Sequence, residues 1–173
     1  MLGLLNQLSD IAPKVQGLSE LLGGNGLTGH FNFYKGARWT LRFLRDRNLW
    51  SEVARFEEPA PGPIINRAID VRLTDGTRLE MKSWAEWKDI AQEGFSRQIM
   101  ADYLDTGGFL HQQLLWIFEA GPGIDKGVLL ENMTAALDKA LREGWRGYDD
   151  PAAAVRVADI KRMLPLIVQV GLH

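Results

Sequence analysis

The sequence predicts an α/β fold in which a mixed β-sheet is flanked by helices, and three observations carry that expectation. Residues 67–84, RAIDVRLTDGTRLEMKSW, alternate apolar and polar residues on both sides of Thr74-Asp75-Gly76, the pattern of a β-hairpin. Directly after it, Trp84, Trp87, Ala91, Phe95, Ile99 and Tyr103 keep a three-to-four spacing, the pattern of an amphipathic helix. After Gly107-Gly108, the apolar run from Gln113 to Ala120 reads as a buried strand, closed by Gly121-Pro122-Gly123.

Two upstream elements complete the order helix, strand, strand, strand, helix, strand. Phe31 to Asn48 forms a helix that is apolar at Tyr34, Ala37, Leu41 and Leu44 and basic at Lys35, Arg38, Arg42, Arg45 and Arg47. Trp50 to Glu58 supplies a first strand, expected to stop at Pro59, Pro61 and Pro63. Further helices flank this core. Met1 to Leu22 makes one or two small helices before the breaker Gly23-Gly24-Asn25-Gly26, so residues 1–29 read as a helical connector and 30–173 as the functional domain. A helix centred on 129–141 follows the core, then a polar loop from Trp145 to Pro151 and a last helix from Ala152 to Arg162. Pro165 to Val170 is read as a final strand that begins at Pro165 or lies at a sheet edge.

The hairpin has a definite register. With Thr74 and Asp75 in a type I turn and Gly76 in the left-handed position of the following bulge, Leu73 pairs with Thr77. Counting outward, Val71 faces Leu79, Asp70 faces Glu80, and Ala68 faces Lys82. Because strand side chains alternate, Ile69, Val71, Leu73, Leu79 and Met81 share a buried face, and Asp70, Glu80 and Lys82 share the other. A two-residue turn would instead split the two acids between faces. Facing carboxylates repel, by up to about 1 kcal/mol before burial, so a positive charge belongs between them. Oxygen donors with room for water and phosphate suit Mg²⁺ or Mn²⁺. The competing interpretation of these three residues is a solvated strand face with incidental ion pairing.

An Asp on one strand followed by Glu-x-Lys on the next resembles the PD-(D/E)xK nuclease superfamily, over about ninety residues from Tyr34 to Ala120. The resemblance implies a restriction-endonuclease-like core and metal-assisted phosphodiester hydrolysis. It implies that Asp70 and Glu80 hold the metal with the backbone carbonyl of Met81, and that Lys82 orients or deprotonates the attacking water and stabilises phosphate charge. Arg97 and Gln98 on the following helix would line the site, and Ser96-Arg97-Gln98 is similar to the Gln-containing helix of restriction-endonuclease-like toxin domains. One departure stands out. Many relatives carry a metal-site Glu on the first helix, where this chain has Arg38; Glu52 or Glu57 on the first strand could take its place.

Composition narrows the function classes. The chain has 173 residues and 46% hydrophobic content, enough for one domain with its own core. No apolar run reaches membrane-span length, and the N-terminus lacks the layout of a cleaved signal peptide. Zero Cys excludes disulfides, thiolate metal sites and cysteine nucleophiles, while His30, His111 and His173 are scattered and give no His-based site. Gly121-Pro122-Gly123 lacks the ending of a phosphate loop. Trp39, Trp87 and Trp116 fall on apolar stripes and read as core. Net charge is -2, yet residues 30–56 hold six Lys or Arg against two acids. This basic helix, with Arg38 and Arg42 as candidate substrate contacts, would draw phosphates toward the carboxylates.

The likeness to bacterial polymorphic toxins implies a toxic effector of interbacterial competition. Such a domain would be delivered as part of a larger protein into a target cell's cytoplasm, would cut DNA or RNA there, and would be neutralised by an immunity protein. Two alternatives stand beside it: a repair or resolvase-like nuclease, and a catalytically silent α/β binding module, either an immunity or a scaffold protein.

Overall fold

The computed structural model describes residues 31–62, 64–83, 92–119 and 125–171. The expected connector at 1–29, the Trp84-Trp87-Ala91 part of the amphipathic helix and the Gly121-Pro122-Gly123 turn lie outside the described residues.

Helix α1, Phe31–Asp46, buries Ala37, Leu41 and Leu44 as its spacing predicts, and adds Trp39 and Phe43 to the same core. It ends at Asn48, whose φ of 56° is a left-handed conformation that Asn tolerates better than most residues. Leu49 N then donates to the Leu44 carbonyl at 2.8 Å and closes the last turn. A short 3₁₀ turn, Trp50–Glu52, takes the place of the expected start of the first strand.

Strand β1 runs Val53–Pro61 and pairs antiparallel with β2, Asn66–Leu73. The expected stop at Pro59 does not occur. Pro59 and Pro61 stay in register opposite Ala68 and Asn66. The reason is position: β1 is the sheet edge, so a residue without N–H can face outward without breaking a ladder. Strand β3, Arg78–Lys82, completes the hairpin with Val71 opposite Leu79 and Arg72 opposite Arg78. The turn is the expected one. Gly76 has φ 92°, its N–H donates to Leu73 O at 3.0 Å, and Leu73 N donates to Thr77 O at 2.7 Å.

Helix α2, Gln92–Asp105, and a one-turn helix α3, Leu110–Gln113, lead into β4, Leu114–Glu119, which lies parallel to β3. His111 sits on that helical turn. Helix α4, Lys126–Glu143, is capped by the Asp125 carboxylate accepting from Val128 N at 3.0 Å and by Gly144 at φ 63°. Helix α5 extends over Ala153–Ile167, and β5, Val168–Gly171, closes the sheet parallel to β4. Pro165 thus lies inside α5 and does not begin the strand; β5 is an edge of the sheet but contains no proline. Burial of Met163, Leu164 and Ile167 holds this last turn together despite the proline.

The result is a five-stranded mixed sheet in the order β1-β2-β3-β4-β5. One face carries Val71, Leu73, Leu79, Met81 and Ile117 against α1. The other carries Leu114, Trp116, Phe118 and Val168 against α2, α4 and α5. At the far edge, a Cβ on Gly171 would stand 2.6 Å from the Trp39 ring, so only glycine lets β5 approach α1.

Candidate functional site

Asp70, Glu80 and Lys82 emerge from the sheet face opposite α1. The register that puts Leu79 and Met81 under α1 leaves Glu80 level with Trp116 of β4, on the side covered by α2. The hairpin ladder is short here: its paired register covers only Val71–Leu79 and Arg72–Arg78. Just beyond it, the Asp70 carboxylate enters the interval, and Met81 N donates to Asp70 Oδ2 at 2.6 Å.

Asp70 is pushed up to about 7 by burial, and next by the neighbouring Glu80 charge. Lys82 and the Met81 amide act the other way, and Glu57 adds a further upward push. The flanking pairs Phe56–Val71 and Glu58–Ile69 place Glu57 across from Asp70. Glu57 holds φ at 47°, a conformation that is strained for a residue with a Cβ. Glu52 lies at the other end of the hairpin, where its carbonyl accepts from Thr74 N at 2.7 Å. Of the two acids named as substitutes for the missing helix carboxylate, Glu57 is therefore the one near Asp70.

Glu80 is in a different state. It is 1% exposed, and both of its oxygens are engaged. Arg67 Nη1 donates to Oε1 at 2.6 Å, while Lys82 Nζ at 3.0 Å and Gln98 Nε2 at 2.7 Å donate to Oε2. Lys82 also donates to Gln98 Oε1 at 3.1 Å, closing a triangle of β3 and α2 side chains. The ammonium stands 4.7 Å from the centre of the Trp116 ring, which supports it from beneath by a cation–π contact.

Beneath this triangle lies a buried anchor. Asp102 of α2 is fully buried, forms an ion pair with Arg67, and accepts from Trp116 Nε1 at 2.9 Å. One carboxylate thus fixes the guanidinium that faces Glu80 and the ring that underlies Lys82.

The structure therefore brings together Asp70, Glu80, Lys82, Gln98 and the backbone of Met81. It does not bring Arg38, Arg42 or Arg97 to them. Arg38 and Arg42 are exposed on the outside of α1, across the sheet from the cluster. Arg97 pairs with Glu93 one turn back along α2, at 3.2 Å. The stripe that buries α1 must face the apolar side of the hairpin, so its basic residues point away from the polar side.

Sequence reasoning missed Arg67 and Asp102. Asp102 had a signal: with Phe95 and Ile99 it falls on the buried stripe of α2, and a carboxylate there requires a partner. Arg67 had none, because strand alternation assigns it to the apolar face with Ile69 and Val71.

Among the described residues, no group of three or more His, Cys, Asp or Glu side chains is arranged to hold a metal ion. Mg²⁺ needs no such group, since it keeps several waters and binds through one or two carboxylates together with substrate phosphates. The donor chemistry at Asp70 fits that demand. Its charged form is disfavoured by burial and by two neighbouring acids, and a cation would relieve both effects. The Met81 side chain is committed to the core under α1, so only its backbone could contribute. No helix among the described residues is long and apolar enough to cross a membrane. Comparison of the chain with protein-family models, with curated proteins and with solved structures finds no match.

Proposed function

We propose that this chain is a metal-dependent nuclease of the PD-(D/E)xK type, built on a restriction-endonuclease-like core, that hydrolyses phosphodiester bonds of DNA or RNA. One observation carries the reading: Asp70 of β2, Glu80 and Lys82 of β3, and Gln98 of α2 meet at the open end of the hairpin, with the Lys82 ammonium held between Glu80 and Gln98. Such a lysine is fixed before substrate arrives, and a fixed positive charge is most effective where phosphate charge develops.

Asp70 is the residue best suited to hold Mg²⁺ or Mn²⁺, and the resemblance would add Glu80 and the carbonyl of Met81. The ion, when bound, supplies Lewis acidity toward the phosphate and acidifies the attacking water. Lys82 orients that water or stabilises the phosphate, and Gln98 holds Lys82 in place. The biological layer, a delivered toxin acting in a target-cell cytoplasm and restrained by an immunity protein, rests on the same resemblance.

Plasmid DNA and total RNA incubated with the full chain in Mg²⁺, Mn²⁺ or EDTA test the reading and choose the substrate. Cleavage should require the ion, and Asp70→Ala or Lys82→Ala should lower it by about 100-fold or more. Growth arrest on expression, relieved by the same substitutions, supports the toxin role. One observation favours a second reading, the silent α/β binding module: Glu80 is already fully paired by Arg67, Lys82 and Gln98. Harmless expression without cleavage of either nucleic acid would select it.

A further inference from the structure

We infer that Glu80 is not a metal ligand in this chain but the positioning residue that holds Lys82 and Gln98, leaving Asp70 to take the ion. The inference rests on the nuclease reading above and divides the roles of its two acids.

The two carboxylates differ in what already occupies them. Glu80 is almost wholly buried and has a cationic or amide donor on each oxygen: Arg67 on Oε1, Lys82 and Gln98 on Oε2. Arg67 cannot turn away freely, because Asp102 grips it from the fully buried side of α2, and the same Asp102 fixes Trp116 under Lys82. A divalent ion in direct contact with Glu80 would have to displace one of these donors. It would then leave a guanidinium or an ammonium, with side chains only 9% and 12% exposed, uncompensated beside a second positive centre. Asp70 carries a lighter load. Its Oδ2 accepts one neutral backbone N–H, the Lys82 charge that acts on it is hydrogen-bonded to Glu80 and Gln98, and Glu57 lies across from it on β1. Repulsion between Asp70 and Glu80 is thus offset on the Glu80 side by the protein, and a bound ion would offset it on the Asp70 side.

Two measurements on the full chain test this division. In crystals of the wild type soaked with Mn²⁺, the anomalous peak should contact an Asp70 oxygen directly and lie outside direct contact with both Glu80 oxygens. In solution, Mn²⁺ binding followed by electron paramagnetic resonance without nucleic acid should weaken by about 100-fold in Asp70→Asn, but by no more than about tenfold in Glu80→Gln, the range of an outer-shell change. Glu80→Gln should lower kcat with KM little changed, the split expected when Lys82 loses its position but substrate still binds. A Mn²⁺ ion coordinated by Glu80, or equal loss of binding in both variants, overturns the inference and leaves the nuclease reading intact. Absence of any bound ion in the wild type removes the metal reading itself. The soaked crystal decides the matter even where Glu80→Gln does not fold.

Discussion

The hairpin presents two faces whose stability has different origins. On the side under α1, Val71, Leu73, Leu79 and Met81 are all buried in one apolar cluster with Ala37, Leu41 and Leu44. On the opposite side, a few ångströms away through the same backbone, Asp70, Glu80 and Lys82 join Arg67, Gln98 and Asp102 in a polar network that is also largely buried. The first face is held by area removed from water, which tolerates small displacements. The second is held by directional pairs, each of which becomes a liability once its partner is gone. An apolar face and a polar, ion-paired face are thus back to back, and substitutions on them should fail in different ways.

The largest expected effect lies on the polar side. Arg67→Ala leaves Glu80 and Asp102 as nearly buried carboxylates, each having lost its guanidinium, and should destabilise the fold by about 3–5 kcal/mol. Urea unfolding monitored by circular dichroism measures it. A change below about 1 kcal/mol, the range of surface pairs, would mean that water enters the network freely and that the contrast between the faces is false.

On the apolar side, Leu79→Ala removes a side chain that is 2% exposed and should lose about 2–4 kcal/mol through lost transfer energy and the cavity left behind. The sharper expectation concerns function. Under conditions where Leu79→Ala remains folded, its ion binding and cleavage should match the wild type, because α1 and the charged network do not share side chains. Loss of activity in the folded variant would show the faces to be coupled through the strand.

The same contrast explains how much could be read from the sequence. Alternation around Thr74-Asp75-Gly76 is a local rule, so the turn, the pairs Val71–Leu79 and Arg72–Arg78 and the gathering of Asp70, Glu80 and Lys82 are legible in it, whereas the expected facing of Asp70 with Glu80 and of Ala68 with Lys82 is not part of the ladder. Gln98 came from the helix after the hairpin, and it too reaches the cluster. What escaped was set by tertiary packing. Arg67 belongs by parity with Ile69, yet its long side chain reaches Glu80 beyond the paired part of the ladder. Asp102 is seen as a partner only once α2 is laid on β4 beside Trp116. Arg38 and Arg42 were misplaced for the converse reason. Closeness in sequence does not bring a charged helix to the site, because the apolar stripe of α1 binds it to the other face. Positive charge does stand beside Glu80, and it comes from the chain itself, through Arg67 and Lys82.

The smallest expected effect concerns Asp70, and its sign separates function from stability. The carboxyl group titrates at about 7 in the folded chain against 3.8 ordinarily, because burial and the adjacent Glu80 disfavour its charge. Between these values the folded state binds the proton more tightly than the unfolded state, so this contribution is fully present below about pH 4 and is lost as pH rises through about 7. Asp70→Asn keeps an acceptor for the Met81 amide and removes the charge. At pH 8 it should therefore be more stable than the metal-free wild type by about 1–3 kcal/mol, while at pH 4 the difference should shrink toward zero. Urea titrations at the two pH values, with EDTA throughout, measure this. Adding Mg²⁺ at pH 8 should then stabilise the wild type and leave Asp70→Asn unmoved, since binding to the folded state alone raises stability by mass action. A substitution that strengthens the fold only in the absence of the ion is the behaviour of a carboxylate kept under electrostatic load for a cation. If Asp70→Asn proved less stable at pH 8 in EDTA, the network around Glu80 and Arg67 would already neutralise Asp70, and the polar face would be structural throughout.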